Sequence, residues 1–569
     1  MSDAFDFIIV GGGTAGCLVA QRLASAAPRV SILLIEIGDD NSDILTRIPF
    51  ERYSNVFMRP ELDHGYSTVP QSTLKNRKVP YPRGKGLGGS TAINFMIWAP
   101  GSSMDYDRWA ELVGDDDWGW EKTNARLKQI QSFHGTVSPT LQKYANPIAE
   151  DHGFSGSVAI SIPDEWEPDA KIVMDAADKF GFPINLDPTT GNPIGIGISP
   201  NSAHAGLRTT SASAHLSSPL TNLTVWTKTR VIRVVLDGKK AVAVDLADGR
   251  IVTANREVIL CAGAIDTPKL LLLSGIGPKD ELAKHNVELC HDLPGVGKNL
   301  QDHPAVFLTE HLGDGFSSKV NFMSTPSAVD SARQEWLEFK TGPLTTHFAS
   351  AVLGFLKDDS IYETEAFNAL DPEMQQFLRH RLVPQYEFGW GGPLLPPTYE
   401  FKDIDDAFLS TVIVLMNPVS RGTVTIGSSN PEDPPLIDFS FLSHPLDKLT
   451  LIAAIRKAIH FTQSPSIDKY WKSHINVPKS DSDEDIWDFI ADNCGPLWHA
   501  NGSVVMSKSG EELGCVDSSL KVFGIEGLRV ADMSVCPLTS NGHTQATAYL
   551  IGQVAAEKIC LEHQLDISD

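Results

Sequence analysis

A chain of 569 residues is long enough for two or more hydrophobic cores, and its composition is that of an ordinary globular protein. Its formal net charge of −24 disfavours nucleic acid or an anionic lipid surface as a partner. The sequence has no apolar run near the roughly 20 residues that a membrane-spanning helix needs, so no membrane partner is expected. Because only MSDA precedes the first predicted strand, we expect a cytoplasmic or leaderless protein.

The cysteines exclude two further classes of protein. All seven are scattered, their number is odd, and none of them forms a C-x-x-C pair. This pattern is typical of reduced thiols in a reducing compartment rather than of a disulfide framework or a zinc site. We therefore expect neither structural disulfides nor a metal centre.

The first predicted unit is a strand, a helix and a second strand. Residues 5–10 are an apolar, β-branched run of strand length, and residues 30–35 are a second such run. Residues 14–26, between them, are small and helix-permissive. This order predicts the opening of a parallel sheet that binds a dinucleotide.

Three glycines join the first strand to the helix as G-x-G-x-x-G. Gly11 permits the tight turn, Gly13 lets the backbone approach a pyrophosphate, and Gly16 lets helix and strand pack closely. The start of the helix, with Thr14 and Ala15, offers unpaired N–H groups and the positive end of the helix dipole to phosphates.

Glu36 ends the second strand, twenty residues past the third glycine. Its carboxylate can accept hydrogen bonds from both ribose hydroxyls and disfavours a 2′-phosphate. The motif by itself leaves FAD and NAD open as cofactors.

A second glycine-rich stretch covers residues 83–94. With four glycines and two hydroxyl residues it cannot form a stable helix interior, so we predict a loop with many free N–H groups. Such a loop suits an anionic or electron-rich edge of a cofactor. The candidate contacts in it are Arg83, Gly88, Gly89, Ser90 and Asn94.

Residues 224–277 are predicted to complete the nucleotide sheet. Residues 224–235 and 241–245 read as a hairpin, and residues 250–261 as two more strands. A glycine turn with Ala262 follows, and a helix is expected to begin near Thr267, whose successor is a proline.

After residue 310 the sequence pattern changes from glycine-rich turns between short strands to longer helical patterns. Helical patterns cover residues 328–339, 372–382 and 446–463, and apolar strands cover 411–416 and 422–427. The end of the chain then returns to small residues, with a short strand at 528–532 and a helix at 546–557. We therefore predict a nucleotide-binding domain built from residues 1–158, 196–310 and 490–569, and a substrate-binding domain built from 159–195 and 311–489.

Several segments together resemble the glucose–methanol–choline (GMC) family of flavin oxidoreductases, and its aryl-alcohol-oxidase-like members in particular. Residues 84–94, with Trp98, Pro100 and Asp107 beyond them, resemble the first family signature, and residues 263–277 resemble the second. Further matches span nearly the whole chain in family order: residues 293–303, 420–424 and 541–545.

The resemblance implies a fold and a cofactor. The fold class is α/β (α+β overall), with a Rossmann-like FAD-binding domain and a substrate-binding domain whose mixed or antiparallel sheet is flanked by helices. The cofactor is FAD. Ile93 stands where some relatives have a histidine joined covalently to the flavin, so the FAD is expected to be noncovalent.

The resemblance also assigns cofactor contacts. The ADP half is expected to lie against Gly11, Gly13, Gly16 and Glu36, with the backbone of Val231 at the adenine. The flavin half is expected beside Gly89, Ser90 and Asn94, with Asp532 near the ribityl and pyrophosphate groups. The pyrimidine edge is assigned to His543, Thr544 and Gln545.

Oxidation of an alcohol needs a base for the hydroxyl proton and an acceptor for hydride, here flavin N5. A base that titrates near neutrality is most readily a histidine, and the resemblance points to His499 and His543 as the catalytic pair. The family's His-Pro-x-Gly-Thr reads here as His-Ala-Asn-Gly-Ser, starting at His499. We expect His499 to accept the proton and His543 to orient the same oxygen.

Five residues are candidates for the substrate pocket. Phe348, Trp390 and Tyr399 could form an aromatic wall, Trp498 could line the pocket, and Asn501 could reshape it. His303, in contrast, is expected to serve structure.

The expected reaction is FAD-dependent oxidation of a small primary alcohol, aromatic or furanic, to the aldehyde, with oxygen reduced to hydrogen peroxide. One alternative is a dehydrogenase of the same family that uses a quinone or another electron acceptor. A second is a hydroxynitrile lyase on the same scaffold.

Overall fold

The computed structural model describes residues 4–162, 168–313, 315–316, 319–346, 352–391, 407–509 and 513–565. Two large β-sheets organise this part of the chain. Their strands are β1 (Ala4–Val10), β2 (Ile32–Ile35), β3 (Leu223–Trp226), β4 (Val231–Asp237), β5 (Lys240–Leu246), β6 (Ile251–Leu260), β7 (Pro304–Leu312), β8 (Val352–Leu356), β9 (Tyr386–Gly391), β10 (Ala407–Leu415), β11 (Trp471–Asn476), β12 (Gly495–Pro496) and β13 (Leu528–Val530).

Helices of eight or more residues pack around the sheets. They are α1 (Thr14–Ala26), α2 (Ser103–Val113), α3 (Trp120–Ile130), α4 (Pro168–Phe180), α5 (Gly263–Leu273), α6 (Pro326–Phe339), α7 (Pro372–Arg379), α8 (Pro445–Thr462), α9 (Asp483–Asn493) and α10 (Gln545–Glu562). Shorter helices lie at Arg52–Phe57, Ser211–His215, Lys279–Lys284, Lys319–Ser324, Glu365–Asn368 and Pro465–Asp468. Shorter strands lie at Tyr66–Ser67, Pro80–Tyr81, Gln131–His134, Val158–Ser161, Gly195–Ile198, Ala203–His204, Leu207–Arg208, Ile276–Gly277, His291–Asp292, Thr423–Thr425 and Leu436–Asp438.

The first sheet is Rossmann-like. Its strand order is β3-β2-β1-β6-β5-β4, and β13 pairs with β6. Strands β3, β2, β1, β6 and β13 run parallel, β5 is antiparallel to β6, and β4 is antiparallel to β5. All four residues of β2 are buried, as expected for a parallel strand covered on both faces. The predicted fold class is therefore confirmed for this half of the molecule.

Helices α1 and α10, which are far apart in the sequence, pack against each other beside the first sheet. A Cβ atom at Gly552 of α10 would lie only 3.0 Å from the backbone oxygen of Ala15 in α1. Small residues therefore let the two helices approach closely, which explains the abundance of alanine and glycine in α10. Among the described residues, no helix combines the length and the apolar character that crossing a lipid bilayer requires.

The second sheet is antiparallel throughout, with order β8-β9-β10-β7-β11 and with β12 paired to β7. Four of its residues stand directly opposite one another across neighbouring strands: Leu353, Gly389, Val412 and Phe307. This row belongs to the face that lines the cavity described below. Helix α8 packs on the opposite face, where the rings of Trp390 and Phe461 are 5.3 Å apart.

Residues 224–235, predicted as one strand of a hairpin, fall in two strands instead, because β3 pairs with β2 and only β4 pairs with β5. Two further local predictions were wrong. Residues 250–261 form one strand, β6, rather than two, and α5 begins at Gly263 rather than near Thr267. The second difference has a tertiary cause, because the Asp532 carboxylate accepts a hydrogen bond from the Gly263 N–H at 2.9 Å and so caps the helix earlier.

The predicted division into domains stays a prediction. All strands of the first sheet fall in segments predicted to bind the nucleotide. Two strands of the second sheet do not follow the division: β12 lies in a segment predicted to bind the nucleotide, and β7 spans a predicted boundary. The predicted boundary between residues 310 and 311 cuts β7, which pairs along its whole length within the second sheet.

A buried ion cluster ties the end of α10 to the first sheet. The Glu257 carboxylate of β6 accepts hydrogen bonds from Arg529 at 2.5 Å and from the His563 ring at 2.6 Å. Burial by itself would raise the pKa of Glu257, but the hydrogen bonds and charges of His563 and Arg529 lower it from 4.5 to about 2. Since the folded-state pKa is depressed, this carboxylate stabilises the folded protein above pH 4.5, and the contribution is lost as the pH falls towards 2.

Glu257→Gln is therefore expected to lower the free energy of unfolding at neutral pH by about 3 kcal/mol. The variant should also lose less stability than the parent protein when the pH falls from neutral towards 3. Urea unfolding followed by circular dichroism at several pH values measures both effects. Asp248→Asn, which removes an exposed carboxylate paired with Arg250, is the control and should behave like the parent protein.

Candidate active site

The carboxyl ends of four parallel strands meet at one edge of the first sheet. β1 leads into Gly11, β2 into Glu36, β6 into Ala262 and β13 into Asp532. Ligands of open α/β sheets bind outside these strand ends. The topology therefore gathers four predicted cofactor contacts, the first and last of which lie more than 500 residues apart in the sequence.

The three glycines of the first turn differ in what surrounds them. A Cβ at Gly11, where φ is +107°, would lie 2.5 Å from the Cys261 carbonyl oxygen, and one at Gly16 would lie 2.0 Å from the Gly11 oxygen. At Gly13 the nearest atom would be 4.0 Å away. Gly11 and Gly16 thus serve close packing within the protein, whereas Gly13 faces open space that a ligand can fill.

That space lies at the N-terminus of α1. The helix begins at Thr14, its N-cap Gly13 makes no side-chain hydrogen bond, and its first turn contains no acidic residue. The first N–H groups and the positive end of the helix dipole are therefore available to an anion. These features fit a dinucleotide pyrophosphate.

Glu36 is buried and joins the two glycine-rich segments. Its carboxylate accepts hydrogen bonds from the N–H groups of Gly12 and Gly38 at 2.8 Å and of Gly86 at 3.0 Å. A carboxylate has about four lone-pair positions, so one remains for a ribose hydroxyl. The predicted ribose contact stays a prediction, but the structural role of Glu36 was not anticipated.

The second glycine loop packs directly on the first turn. A Cβ at Gly84 would lie 2.3 Å from the Gly89 oxygen, and a Cβ at Gly89 would lie 2.7 Å from Gly13 Cα. The Gly88 N–H donates to the Gly12 carbonyl at 2.8 Å. Glycine is required at 84 and 89 because no side chain fits between the two segments.

Asn94 and Gln545 bridge this loop and the start of α10. Asn94 Nδ2 donates to Gln545 Oε1 at 2.8 Å, and Ser202 donates to the same oxygen at 3.0 Å. The fully buried Arg208 donates to Asn94 Oδ1 at 2.9 Å. Both amides are therefore held in fixed orientations where they border the cavity, and their contact with a flavin ring stays a prediction.

Asp532 holds the start of α5 beside the same edge. Its carboxylate accepts from the Thr267 hydroxyl at 2.6 Å and from the Gly263 and Ser534 N–H groups at 2.9 and 2.8 Å. Burial raises the pKa of Asp532 above its ordinary value, and these donors offset part of the rise. Asp532 thus fixes the start of α5 and also borders the cavity.

One continuous cavity of about 810 Å³ extends from the first glycine turn to the second sheet. The predicted site residues that line it are Gly13, Thr14, Ala15, Arg83, Gly89, Ser90, Asn94, Ala262, Trp498, His499, Asp532, His543, Thr544 and Gln545. The other predicted cofactor contacts do not line it: Gly11, Gly16, Glu36, Gly88 and Val231. The predicted pocket residues Phe348 and Tyr399 lie outside the described residues.

Two predicted pocket residues do not line this cavity. Along β9, Glu387 faces the cavity, whereas Trp390 points to the opposite face and packs on Phe461. Side chains of a strand alternate between its faces, and the sequence did not reveal which face the cavity would take. Asn501 is fully buried and donates to the His499 carbonyl at 2.9 Å, so it supports the histidine loop from behind.

His499 follows β12 and is held at its backbone. The Asp302 carboxylate accepts from the His499 N–H at 2.9 Å and from the Tyr81 hydroxyl at 2.5 Å. Burial raises the pKa of Asp302 to about 7. One residue earlier, the Trp498 carbonyl accepts from Arg83 Nη1 at 2.6 Å. Three side chains from two other segments, Asp302, Tyr81 and Arg83, thus position this loop.

His543 approaches from the other side and is held at its ring. Its Nε2 lies 3.1 and 3.2 Å from the two carboxylate oxygens of Glu387, which is almost fully buried. Its backbone N–H donates to the Ala99 carbonyl at 2.8 Å. Two residues earlier, the Asn541 N–H donates to the buried Asp105 carboxylate at 2.6 Å.

The two histidines face each other across the cavity. Their ring centroids are 5.0 Å apart and the rings are nearly perpendicular, at 83°. Burial, reinforced by electrostatic interaction with His543, His303 and Arg83, lowers the pKa of His499 well below its ordinary value. His499 is therefore neutral at neutral pH and able to accept a proton.

Sequence reasoning missed the groups that hold these histidines. Glu387 carries no motif of its own, and only the register of β9 brings it to His543. Asp302 and His303 fall in a segment that was noted, but His303 was assigned to structure alone. In the fold, His303 Nδ1 lies 2.8 Å from His499 Nδ1.

Comparison with known proteins agrees with this geometry. Residues 5–305 match the N-terminal model of the GMC oxidoreductase family, and residues 418–552 match the C-terminal model. The chain is a GMC oxidoreductase. Within the family it is similar to an oxygen-dependent choline dehydrogenase from Brucella anthropi, with 31% identity over 99% of this chain and 97% of the relative.

Two solved structures place this GMC oxidoreductase among flavoenzymes. One is a formate oxidase variant from Aspergillus oryzae RIB40, with a TM-score of 0.89 and 28% identity. The match covers 100% of this chain and 99% of the oxidase chain. The other is a fungal aryl-alcohol oxidase, with a TM-score of 0.85 and 26% identity. The match covers 99% of this chain and 100% of the oxidase chain. The predicted family, the Rossmann-like fold and an FAD-dependent enzyme acting on CH–OH donors are thereby confirmed.

The cofactor of this GMC oxidoreductase is FAD, and its residues fit that molecule. The open space at Gly13 and the free N-terminus of α1 suit the pyrophosphate, and the bridged amides of Asn94 and Gln545 suit a flavin edge. The cavity then continues to His499 and His543. Within the described residues, no group of three or more His, Cys, Asp or Glu side chains is arranged to hold a metal ion.

Glu387→Gln is expected to slow alcohol oxidation by this GMC oxidoreductase by about a hundredfold. A neutral amide fills the same space as the carboxylate but is a weaker hydrogen-bond acceptor for the His543 ring. The anaerobic rate of flavin reduction at saturating substrate measures the effect.

The matched control for this prediction is Glu310→Gln. Glu310 is a second buried glutamate on the same sheet, it binds His474 at 2.8 Å, and it does not line the cavity. This variant should reduce its flavin at the parental rate. Equal rates in the two variants would show that the Glu387–His543 contact does not assist the reaction.

Proposed function

We propose that the enzyme oxidises a small primary alcohol, aromatic or furanic, to its aldehyde and passes the electrons to oxygen, which becomes hydrogen peroxide. The observation that carries the proposal is the pair of facing histidines, with a neutral His499 opposite a His543 anchored on Glu387. The pair stands in the same cavity as the flavin contacts.

The side chains divide the work on the alcohol. When FAD is bound, it supplies the hydride acceptor at N5 and later delivers the two electrons to oxygen. Because Nδ1 of His499 is engaged with His303, Nε2 is the nitrogen that accepts the hydroxyl proton. His543 holds Glu387 through Nε2, so its Nδ1 contacts the same substrate oxygen and orients the carbon.

His499 serves both halves of the reaction. After the alcohol has reacted, His499 carries the hydroxyl proton and hence a positive charge. In a buried cavity this charge stabilises the negative charge that develops on oxygen during its reduction. The proton is then available to the peroxide product.

The lining of the cavity supports a neutral substrate with an apolar body. The apolar side chains that line it include Phe95, Phe307, Leu353, Val412, Leu497 and Trp498. The described acids that line the cavity are Asp266, Glu387 and Asp532, and each already binds hydrogen-bond donors. None of these three carboxylates is left without a hydrogen-bond partner and so free for a cationic substrate. This favours an aryl or furanic alcohol over a quaternary ammonium alcohol.

The proposal is tested by anaerobic mixing of the purified yellow protein with a panel of aryl, furanic, aliphatic and quaternary ammonium alcohols. Bleaching of the flavin by the aryl and furanic members, followed by recovery of colour and stoichiometric peroxide in air, is the expected result. Bleaching that air does not reverse, but a quinone does, would instead identify a dehydrogenase. Cyanohydrin cleavage without any bleaching would identify a lyase.

We also propose that the FAD is held noncovalently. Ile93 is buried, lines the cavity, and offers only an unreactive hydrocarbon side chain at the position where some relatives have a histidine bonded to the flavin. Precipitation with acid should therefore release all of the yellow colour into the supernatant. Colour that stays in the pellet would contradict this prediction.

A further inference from the structure

His303 and His499 make a hydrogen bond that has only two possible directions. Their Nδ1 atoms are 2.8 Å apart, and both rings are buried. A neutral imidazole has one protonated nitrogen and one bare nitrogen. One ring therefore donates its Nδ1–H, and the other ring accepts with a bare Nδ1.

The direction of this bond decides whether His499 can act as a base. If His499 donates from Nδ1, its Nε2 is bare and can accept a proton from a hydroxyl group. If His499 accepts at Nδ1, its Nε2 already carries hydrogen and can only donate. Since the other hydrogen bonds of the His499 loop involve its backbone, His303 is the group that makes this choice.

The surroundings of His303 favour one direction. Burial, with the nearby charge of His543, lowers the pKa of His303 to about 3, so the ring is neutral at neutral pH. Within the described residues, His303 Nε2 is buried and makes no hydrogen bond, and the backbone carbonyl of Met416 is an acceptor near the ring with which an N–H at Nε2 can interact. A proton on Nε2 leaves His303 Nδ1 bare, as an acceptor.

We propose that His303 is a positioning residue whose Nδ1 accepts the Nδ1–H of His499 and thereby keeps His499 Nε2 unprotonated towards the substrate. The same acceptor remains in place when His499 becomes protonated on Nε2, so it also supports the imidazolium that forms. No proton is transferred to His303 in this scheme. The proposal rests on the proposed function of His499, but its central claim about the tautomer can be tested without any substrate.

The first test measures the tautomer in the FAD-loaded wild-type enzyme. Protein labelled with [15N]histidine is examined by NMR at pH 8, and the His499 signals are identified by their loss in His499→Gln. The expected pattern is a protonated Nδ1 and a bare Nε2 on His499. A protonated Nε2 on His499 overturns the proposal, whether or not any alcohol is oxidised.

The second test compares two variants whose side chains branch at the same carbon, Cγ. In His303→Asn the amide oxygen takes the place of Nδ1 and can accept the same hydrogen bond, whereas His303→Leu offers no acceptor. The Asn variant is expected to reduce its flavin within fivefold of the parental rate, and the Leu variant at least a hundredfold more slowly. Equal losses in both variants would indicate a merely structural role and overturn the proposal.

The pH profile separates positioning from general damage. The other charged or titratable groups that face His499 are His543, Arg83 and Asp302, and they are the same in both variants. Loss of the acceptor destabilises the His499 imidazolium and so lowers the pKa of His499. In the Leu variant, the rise of the flavin-reduction rate with pH should therefore occur at lower pH than in the parent enzyme. In the Asn variant this rise should occur at the parental pH. If the rate of the Leu variant rises at the same pH as that of the parent enzyme, the result counts against the proposal. If the Leu variant does not fold, the NMR measurement on the wild-type enzyme still decides.

The two proposals fail in distinguishable ways. If no alcohol reduces the flavin of the wild-type enzyme, the proposed function is wrong, while the NMR pattern still reports whether His303 sets the tautomer. If alcohols reduce the flavin but His499 carries its proton on Nε2, the proposed function survives and the role of His303 does not.

Discussion

Replacement of His499 by alanine is expected to slow the reduction of the bound flavin by an alcohol about a thousandfold. The side chain is the neutral group placed to take the hydroxyl proton, and its backbone is held independently by Asp302. The loop should therefore keep its shape when the ring is removed. Stopped-flow mixing with substrate in the absence of oxygen gives the rate constant directly.

Two controls test whether a slower rate in His499→Ala has another cause, such as loss of FAD. The variant should still purify as a yellow protein with one FAD per chain, because the described cofactor contacts do not depend on the His499 ring. His460→Ala, which removes a half-exposed histidine of α8 beside Asp481, should behave as the parent enzyme. If His499→Ala were reduced at close to the parental rate, a different group would have to take the proton.

Gly13→Val is expected to give a folded protein that contains no FAD. The backbone of Gly13 has φ of −80°, which any residue adopts, and a Cβ there would meet no atom closer than 4.0 Å. The valine can therefore be accommodated by the protein itself. Its side chain occupies the space in front of α1 that suits the pyrophosphate, so the cofactor is excluded.

The absorbance of the purified variant in the visible range measures its FAD content, and circular dichroism checks its fold. A lower melting temperature is expected, since the parent protein is stabilised by its bound cofactor. Gly427→Val is the matched control, because a Cβ there meets only atoms at ordinary contact distance, 3.8 Å or more, and lies away from the cavity. A yellow Gly13→Val protein with parental FAD content would contradict the assignment of this space to the pyrophosphate.

The active site is assembled from two supports that meet at the cavity. His543 is anchored through its ring to Glu387 of the second sheet, and His499 is anchored through its backbone to Asp302 and through its ring to His303. A substrate between the histidines therefore contacts groups from both halves of the fold. Changes in the packing of either sheet are expected to affect the distance between the two rings.

The sequence by itself determined the cofactor end of the molecule. The first turn could be predicted because each of its requirements is local: an apolar strand, glycines at fixed spacing, a helix start at Thr14 and an acid after the next strand. The pair His499 and His543 was reached through a family resemblance that spans nearly the whole chain. These features depend on residues close in sequence or on motifs, and neither requires knowledge of how strands pair.

Only the tertiary structure decided which side chains of the second sheet face the cavity. Trp390 and Glu387 are three residues apart on β9, yet one packs on α8 and the other binds His543, because alternation and register assign them to opposite faces. The contact between His303 and His499 joins positions 196 residues apart. Such pairings arise from the antiparallel order of the second sheet, which no short segment of the sequence encodes.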